Sequence, residues 1–164
     1  MNLPDRKTLS NIKMAIFDID GVFTDGSVYL DMNGNEMIKF SRIDGKGIEL
    51  LNQLGIIIVV ISSEKSEIYK RRMSKLKISE IHLGINDKLT IFNNLISKYS
   101  LNEKEICYCG DDIQDIPVLK RVGLSCCPKN AQNDVKDVCD YISTIEGGKG
   151  FVREICNLII KSHV

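Results

Sequence analysis

The sequence has no net charge: 22 Lys and Arg residues balance 22 Asp and Glu. A general nucleic-acid binder carries a basic excess, and none is present, so no nucleic-acid partner is expected. Long apolar runs are missing too. The longest, Ile56 to Ile61, is strand-sized and far short of the roughly 18–20 residues of a membrane span, so no membrane partner is expected either. Met1 to Lys7 contains no apolar segment of a secretory signal, which points to a soluble cytoplasmic protein. None of the six cysteines forms a Cys-x-x-Cys pair, and only His82 and His163 could assist them at a zinc site. They are therefore expected to be reduced core thiols. Internal repeats and low-complexity segments are absent.

What is present is globular. With 43% hydrophobic residues the chain can bury a core, and 164 residues amount to one domain, 1–164, at about 150 residues per domain. Met14 to Ile19, Ile56 to Ile61 and Ile106 to Cys109 are short apolar runs that predict strands buried on both faces. Ile81 to Leu83 and Leu124 to Cys126 are weaker strand candidates. Helical spacing recurs over Gly47–Leu54, Glu64–Leu76 (with Ile68 and Leu76 inward), Lys88–Tyr99 capped by Asp87, Ile116–Val122, Asp134–Val138 and Phe151–Lys161. This alternation predicts an α/β fold, a Rossmann-like parallel sheet flanked by helices. One insertion interrupts it. Ser27–Leu30 and Glu36–Phe40, around Asn33-Gly34, predict a β-hairpin at about 27–40, directly after the first strand.

In such a sheet the first and third strands end side by side. That brings Asp18 and Asp20 together with Asp111, Asp112 and Asp115, a concentration of negative charge that calls for a hard, oxygen-preferring cation such as Mg²⁺. Asp-Gly and Gly-Asp-Asp are also ordinary turn sequences, but here each closes an apolar strand. A carboxylate beside Mg²⁺ can attack phosphorus, since the metal lets two anions approach. A phosphoaspartate formed in this way needs a second carboxyl group to protonate the leaving alcohol and then activate water, and Asp20 stands two residues along. Ser62, ending the second strand, can supply a hydroxyl and an N–H to the phosphoryl group, and Lys88 can supply an ammonium.

Asp18-Ile-Asp20-Gly-Val-Phe-Thr24-Asp25-Gly26, then Ser62, Asp87-Lys88-Leu89 and Gly110-Asp111-Asp112-Ile-Gln-Asp115 resemble, in order and spacing, the four motifs of the haloacid dehalogenase superfamily of phosphotransferases. The likeness narrows through Phe40-x-x-x-Asp44-Gly45-x-Gly47, Arg71-Arg72, Gly84-x-x-Asp87-Lys88-Leu89, Asp115-x-Pro117-Val118 and Gly147-Gly148-x-Gly150-x-x-Arg153-Glu154. These are similar to the capless branch that includes 3-deoxy-D-manno-octulosonate 8-phosphate phosphatase, nonulosonate 9-phosphate phosphatases and the phosphatase-like tail domain of acylneuraminate cytidylyltransferases. The resemblance implies a fold without a cap domain and a Mg²⁺-dependent phosphomonoesterase. In it Asp18 is nucleophile and metal ligand, and Asp20 is general acid/base and also a ligand through its carbonyl. Asp111 is the third ligand with Asp112 behind it, and Ser62 and Lys88 hold the phosphoryl group. It also implies a homotetramer in which inserted hairpins pair and neighbouring subunits cover the active sites, with the glycine-rich segment near Gly147 reaching toward a site.

For the substrate, the octulosonate enzymes have Gly-Arg-Lys where this chain has Ser63-Glu64-Lys65, and Ile43 stands where they have an arginine. Glu64 with Lys75 resembles the nonulosonate branch, so a nine-carbon acid 9-phosphate (2-keto-3-deoxy-nononate or N-acetylneuraminate) is favoured slightly over 3-deoxy-D-manno-octulosonate 8-phosphate. Arg72, Lys75 and Arg153 are candidate contacts to the substrate carboxylate. Lys65, Lys70, Arg71, Arg72, Lys75 and Lys88 are expected to ring the mouth. Two alternatives remain: a non-catalytic phosphatase-like assembly module, and a response-regulator-like receiver. The receiver fits less well because its phosphorylated aspartate ends a later strand than Asp18-x-Asp20 does.

Overall fold

A computed structural model describes residues 3–163. Six parallel strands form the central sheet: β1 (Met14–Phe17), β4 (Ile57–Ser62), β5 (Glu80–Leu83), β6 (Ile106–Cys109), β7 (Leu124–Cys127) and β8 (Tyr141–Ile142), in the order β5-β4-β1-β6-β7-β8. β1, β6 and β7 are buried at every position, which explains their largely apolar runs; the exception, Ser125 of β7, donates its hydroxyl to Asp140. Phe17 pairs in register with Val60 on one side and Cys109 on the other, so β1 and β6 end level while β4 runs two residues further, to Ser62. The chain turns from one half of the sheet to the other at β1, and open α/β sheets keep their ligands in the crevice at such a point.

One face of the sheet is covered by α1 (Arg6–Ser10), α2 (Arg42–Gln53), α3 (Glu67–Lys75) and α7 (Phe151–His163), the other by α4 (Lys88–Tyr99), α5 (Ile116–Leu119) and α6 (Asn133–Lys136). Asp87 caps α4 as expected, accepting the Thr90 N–H at 3.2 Å. α2 begins five residues before the expected Gly47, at the Ser41 cap, and carries Gly45 and Gly47 within it. Packing is close at both: a Cβ on Gly47 would lie 3.0 Å from the backbone Cα of Arg153 in α7, and one on Gly45 would lie 2.9 Å from the end of the Arg72 side chain. On α3 the buried residues are Tyr69 and Met73, with Ile68 and Leu76 only partly covered.

The insertion is a short antiparallel pair, β2 (Tyr29–Leu30) and β3 (Glu36–Met37), with Tyr29 opposite Met37. It exposes Val28, Tyr29, Leu30, Met32 and Met37. The buried cysteines line the core, with no disulfide among the described residues. No helix among them is long and apolar enough to cross a membrane.

Candidate active site

The neighbouring ends of β1, β4 and β6 form a floor. Asp18 follows β1 directly and is 4% exposed; its N–H donates to the Cys109 carbonyl at 2.9 Å, and its Oδ1 accepts the Ile19 N–H at 2.7 Å. The chain then folds into a tight turn in which Phe23 and Thr24 donate their N–H groups to the Ile19 carbonyl. Gly21 holds a φ of +69° in this turn, and a Cβ there would fall 1.9 Å from an Asp111 oxygen. The glycine-rich segment buttresses the same turn. The Gly148 N–H donates to the Val22 carbonyl, Asn130 bridges the Gly147 N–H and the Gly21 carbonyl, and a Cβ on Gly147 would collide with Gly21. Asp44, fully buried, secures the other end of that segment by accepting the N–H groups of Gly150 and Arg153. Within one chain the segment therefore supports the chain's own site.

Lys88, in the first turn of α4, is completely buried. Its Nζ lies 2.8 Å from Asp18 and 2.7 Å from Asp115. Burial alone would lower its pKa, but the two carboxylates override that and the net shift is upward, so the lysine stays charged. Asp115 is the organising residue. Its Oδ1 also accepts the Tyr108 hydroxyl at 2.6 Å, and its Oδ2 accepts the N–H groups of Asp111 at 3.0 Å and Asp112 at 3.2 Å. The sequence places Asp115 with the other acids, and it does stand beside Asp18 and Asp111; its four bonds make it the counter-ion of Lys88 as well. Tyr108, in the middle of an apolar strand, carries no sequence signal for this role.

Carboxylate oxygens of Asp18, Asp111 and Asp115 all lie within 4.8 Å of one another. The Asp111 carboxylate accepts no hydrogen bond among the described residues. Burial, then the charges of Asp18 and Asp115, push Asp111 up to about 8; burial and Asp115 push Asp18 up to about 7 against the pull of Lys88. Three crowded acids with one ammonium among them lack a positive charge, and the all-oxygen donor set suits a hard divalent cation. Of the expected ligands, Asp18 and Asp111 are in this cluster, and the Asp20 and Asp112 carboxylates are not. Asp112 caps the turn that follows, accepting the Ile113 N–H at 2.7 Å, which draws its side chain aside. Asp20 accepts the Tyr69 hydroxyl at 2.5 Å.

Above the floor opens a cleft of about 520 Å³, lined by Asp18, Asp20 and Ser62, by Glu64, Lys65 and Tyr69 around α3, and by Val28 and Glu36 of the hairpin. Ser62 is 1% exposed and accepts the Glu64 N–H, leaving its own proton without an acceptor among the described residues. The expected ring of cations is not here: only Lys65 lines the cleft, with Lys88 beneath it. Arg72 turns toward α2, donating to the Ser41 carbonyl at 3.0 Å with its guanidinium over the Phe40 ring. Lys75 borders a separate depression beside Gly45 and Asn52, and Arg153 bonds Asn157 along α7. Glu64 and Lys75, paired in the sequence reading, are thus apart in one chain.

A paired nucleophile and acid, a buried ammonium, a hydroxyl and an anionic pocket for a divalent cation are what phosphoryl transfer through an aspartate requires. Known proteins agree with this. The family model of haloacid dehalogenase-like hydrolases matches residues 60–155. The chain is 35% identical over 150 residues to the 3-deoxy-D-manno-octulosonate 8-phosphate phosphatase of Escherichia coli strain K12, covering 92% of this chain and 80% of that one. The Moraxella catarrhalis 3-deoxy-D-manno-octulosonate 8-phosphate phosphatase, solved with magnesium ion, phosphate ion and KDO, superposes with a TM-score of 0.93. It is 35% identical, over 96% of this chain and 90% of that one. The cobalt-bound deoxy-D-mannose-octulosonate 8-phosphate phosphatase of Haemophilus influenzae gives 0.90 at 35% identity, over 95% and 91%. Fold, site and relatives converge: this chain belongs to the haloacid dehalogenase-like hydrolases, and within them it is a phosphatase.

Proposed function

We propose that the chain is a Mg²⁺-dependent phosphomonoesterase for a 2-keto-3-deoxy sugar acid phosphate, with 3-deoxy-D-manno-octulosonate 8-phosphate as its first substrate. The observation that carries the chemistry is Asp18 at the floor of an open cleft, 2.8 Å from a buried Lys88 and beside the unpartnered carboxylate of Asp111. The names of the relatives support the substrate. A divalent cation held by Asp18 and Asp111, with the Asp20 carbonyl, supplies charge neutralisation where two anions meet.

Asp18 attacks the phosphorus and the phosphorus–oxygen bond to the sugar breaks, while Asp20 gives its proton to the departing alkoxide. Ser62 and Lys88 hold the phosphoryl oxygens. The Asp20 carboxylate then takes a proton from water, whose oxygen attacks the phosphoaspartate, releasing inorganic phosphate and restoring Asp18. Asp112 steadies the loop that carries Asp111.

A nine-carbon acid 9-phosphate is the second reading, and the presence of Glu64 on the cleft wall favours it. Its weight falls because Lys75 stands elsewhere. We also infer a homotetramer. The apolar hairpin, with free strand edges, is a surface that assembly would cover, and the cleft contains too few cations of its own for a carboxylated substrate. Arg72, Lys75 and Arg153 then serve as contacts across a subunit boundary.

The test is kcat/KM for octulosonate 8-phosphate against the two nonulosonate 9-phosphates. Preference for the eight-carbon ester supports the first reading, and preference for a nine-carbon ester supports the second. Absence of EDTA-sensitive release even from p-nitrophenyl phosphate would leave a non-catalytic assembly module.

A further inference from the structure

We propose that Tyr69 is a positioning residue for the acid/base step, its hydroxyl holding the Asp20 carboxyl group in place within the cleft. The proposal rests on Asp20 being the general acid/base.

Asp20 sits on the turn after β1 and is only part-buried, so its side chain has room to rotate. Two donors reach it. The Tyr69 hydroxyl lies 2.5 Å from Oδ1, and the Thr24 hydroxyl approaches the same oxygen only at 3.4 Å. The other oxygen, Oδ2, accepts no hydrogen bond among the described residues and is left for chemistry. The restraint is therefore mostly the tyrosine.

Tyr69 is itself well fixed. It is 2% exposed, sits in the first turn of α3 behind the Ser66 cap, and meets the Phe40 ring edge-on at 6.1 Å and 88°. Phe40 follows the hairpin, and Arg72 covers its ring at 5.8 Å. A rigid phenol anchored to the base of the hairpin thus ends on the one catalytic carboxyl group that its own turn does not immobilise. General acids contribute only when aimed at the departing oxygen, and a loosely held carboxyl group loses part of that contribution.

The experiment measures Y69F and D20N across a series from phenyl phosphate to p-nitrophenyl phosphate. kcat/KM in such a series reports phosphoryl transfer to the enzyme, and the poorer leaving group depends more on protonation. Y69F should lower kcat/KM about tenfold for phenyl phosphate, a fraction of the hundredfold or more that a general acid supplies. For p-nitrophenyl phosphate the fall should be about twofold or less. The ratio is taken within one preparation, so it does not depend on the folded fraction, and Phe keeps the ring against Phe40. An equal loss across the series, with D20N impaired and steepened, would overturn the role of Tyr69 and leave the assignment of Asp20 standing. A D20N enzyme with unchanged leaving-group dependence would remove Asp20 as the acid, and the proposal with it.

Discussion

Replacing Asp115 by Asn should be among the most damaging single changes in this protein, although Asp115 never touches substrate. Its two oxygens accept four donors: the Lys88 ammonium, the Tyr108 hydroxyl and two backbone N–H groups. An asparagine has one oxygen and one NH₂, so whichever way it turns, its amide hydrogens face two donors. One of the two carboxylate charges opposing a completely buried ammonium also disappears, leaving Asp18 alone against it. Breaking one side of a buried ion pair costs about 3–5 kcal/mol. At about 2–4 °C per kcal/mol for a chain of this length, D115N should melt roughly 6–20 °C below the parent. The contrasting variant is D112A. Asp112 is partly exposed and caps a short turn, so its loss should cost about 1 kcal/mol, a shift of only a few degrees. Calorimetry on both variants, with turnover of p-nitrophenyl phosphate measured alongside, is the assay. A D115N enzyme melting within about 2 °C of the parent would refute the view that Asp115 is what allows Lys88 to be buried.

Other consequences can be measured in the same preparations. In EDTA the folded-state values of Asp18 (about 7) and Asp111 (about 8) lie above the ordinary 3.8, so the folded protein binds protons more tightly than the unfolded chain. The associated stability is complete below about pH 4 and is lost as pH rises through 7 to 8, and Mg²⁺ should raise the melting temperature more at pH 8 than at pH 5.5. Equal Mg²⁺ shifts at both pH values would contradict the crowding of those carboxylates. Glu64→Ala should change KM for the sugar acid phosphate severalfold while leaving p-nitrophenyl phosphate turnover within about twofold, since Glu64 is exposed on the wall and touches none of the reacting groups. Leu30→Lys or Met37→Lys should lower the mass seen in light scattering, and an unchanged mass would exclude the hairpin as the assembly surface.

The parts of this molecule that were legible in advance are those in which local pattern and tertiary environment agree. β1, β4 and β6 read as strands because burial on both faces leaves them almost wholly apolar, and α4 reads from Asp87 to Tyr99 because cap and periodicity coincide. The first turn of α2 is obscured by Gly45 and Gly47, poor helix formers; the α7 backbone comes close to Gly47 and the end of the Arg72 side chain to Gly45. β8, two residues long, leaves no periodicity to detect. At the site, Asp18, Ser62, Lys88 and Asp111 could be named because each sits at the end of a strand or the start of a helix, where topology alone fixes position. The cations of α3 could not be placed. Helical spacing tells which residues share a face, but not that Arg72 would find the Ser41 carbonyl and the Phe40 ring while Lys75 found a different depression. Tyr69 and Tyr108 look like ordinary apolar positions until their hydroxyls are seen to end on Asp20 and Asp115.

The central claim is that the phosphoryl group passes through Asp18. Mixing enzyme, Mg²⁺ and substrate, quenching in acid within the turnover time and mapping the peptides by mass spectrometry tests it directly. The account predicts one added phosphoryl group on the peptide containing Asp18, absent when Asp18→Asn is treated in the same way, with that variant retaining less than about a hundredth of the parent turnover. Full turnover by Asp18→Asn, or a phosphoryl group trapped on a different residue, would contradict it.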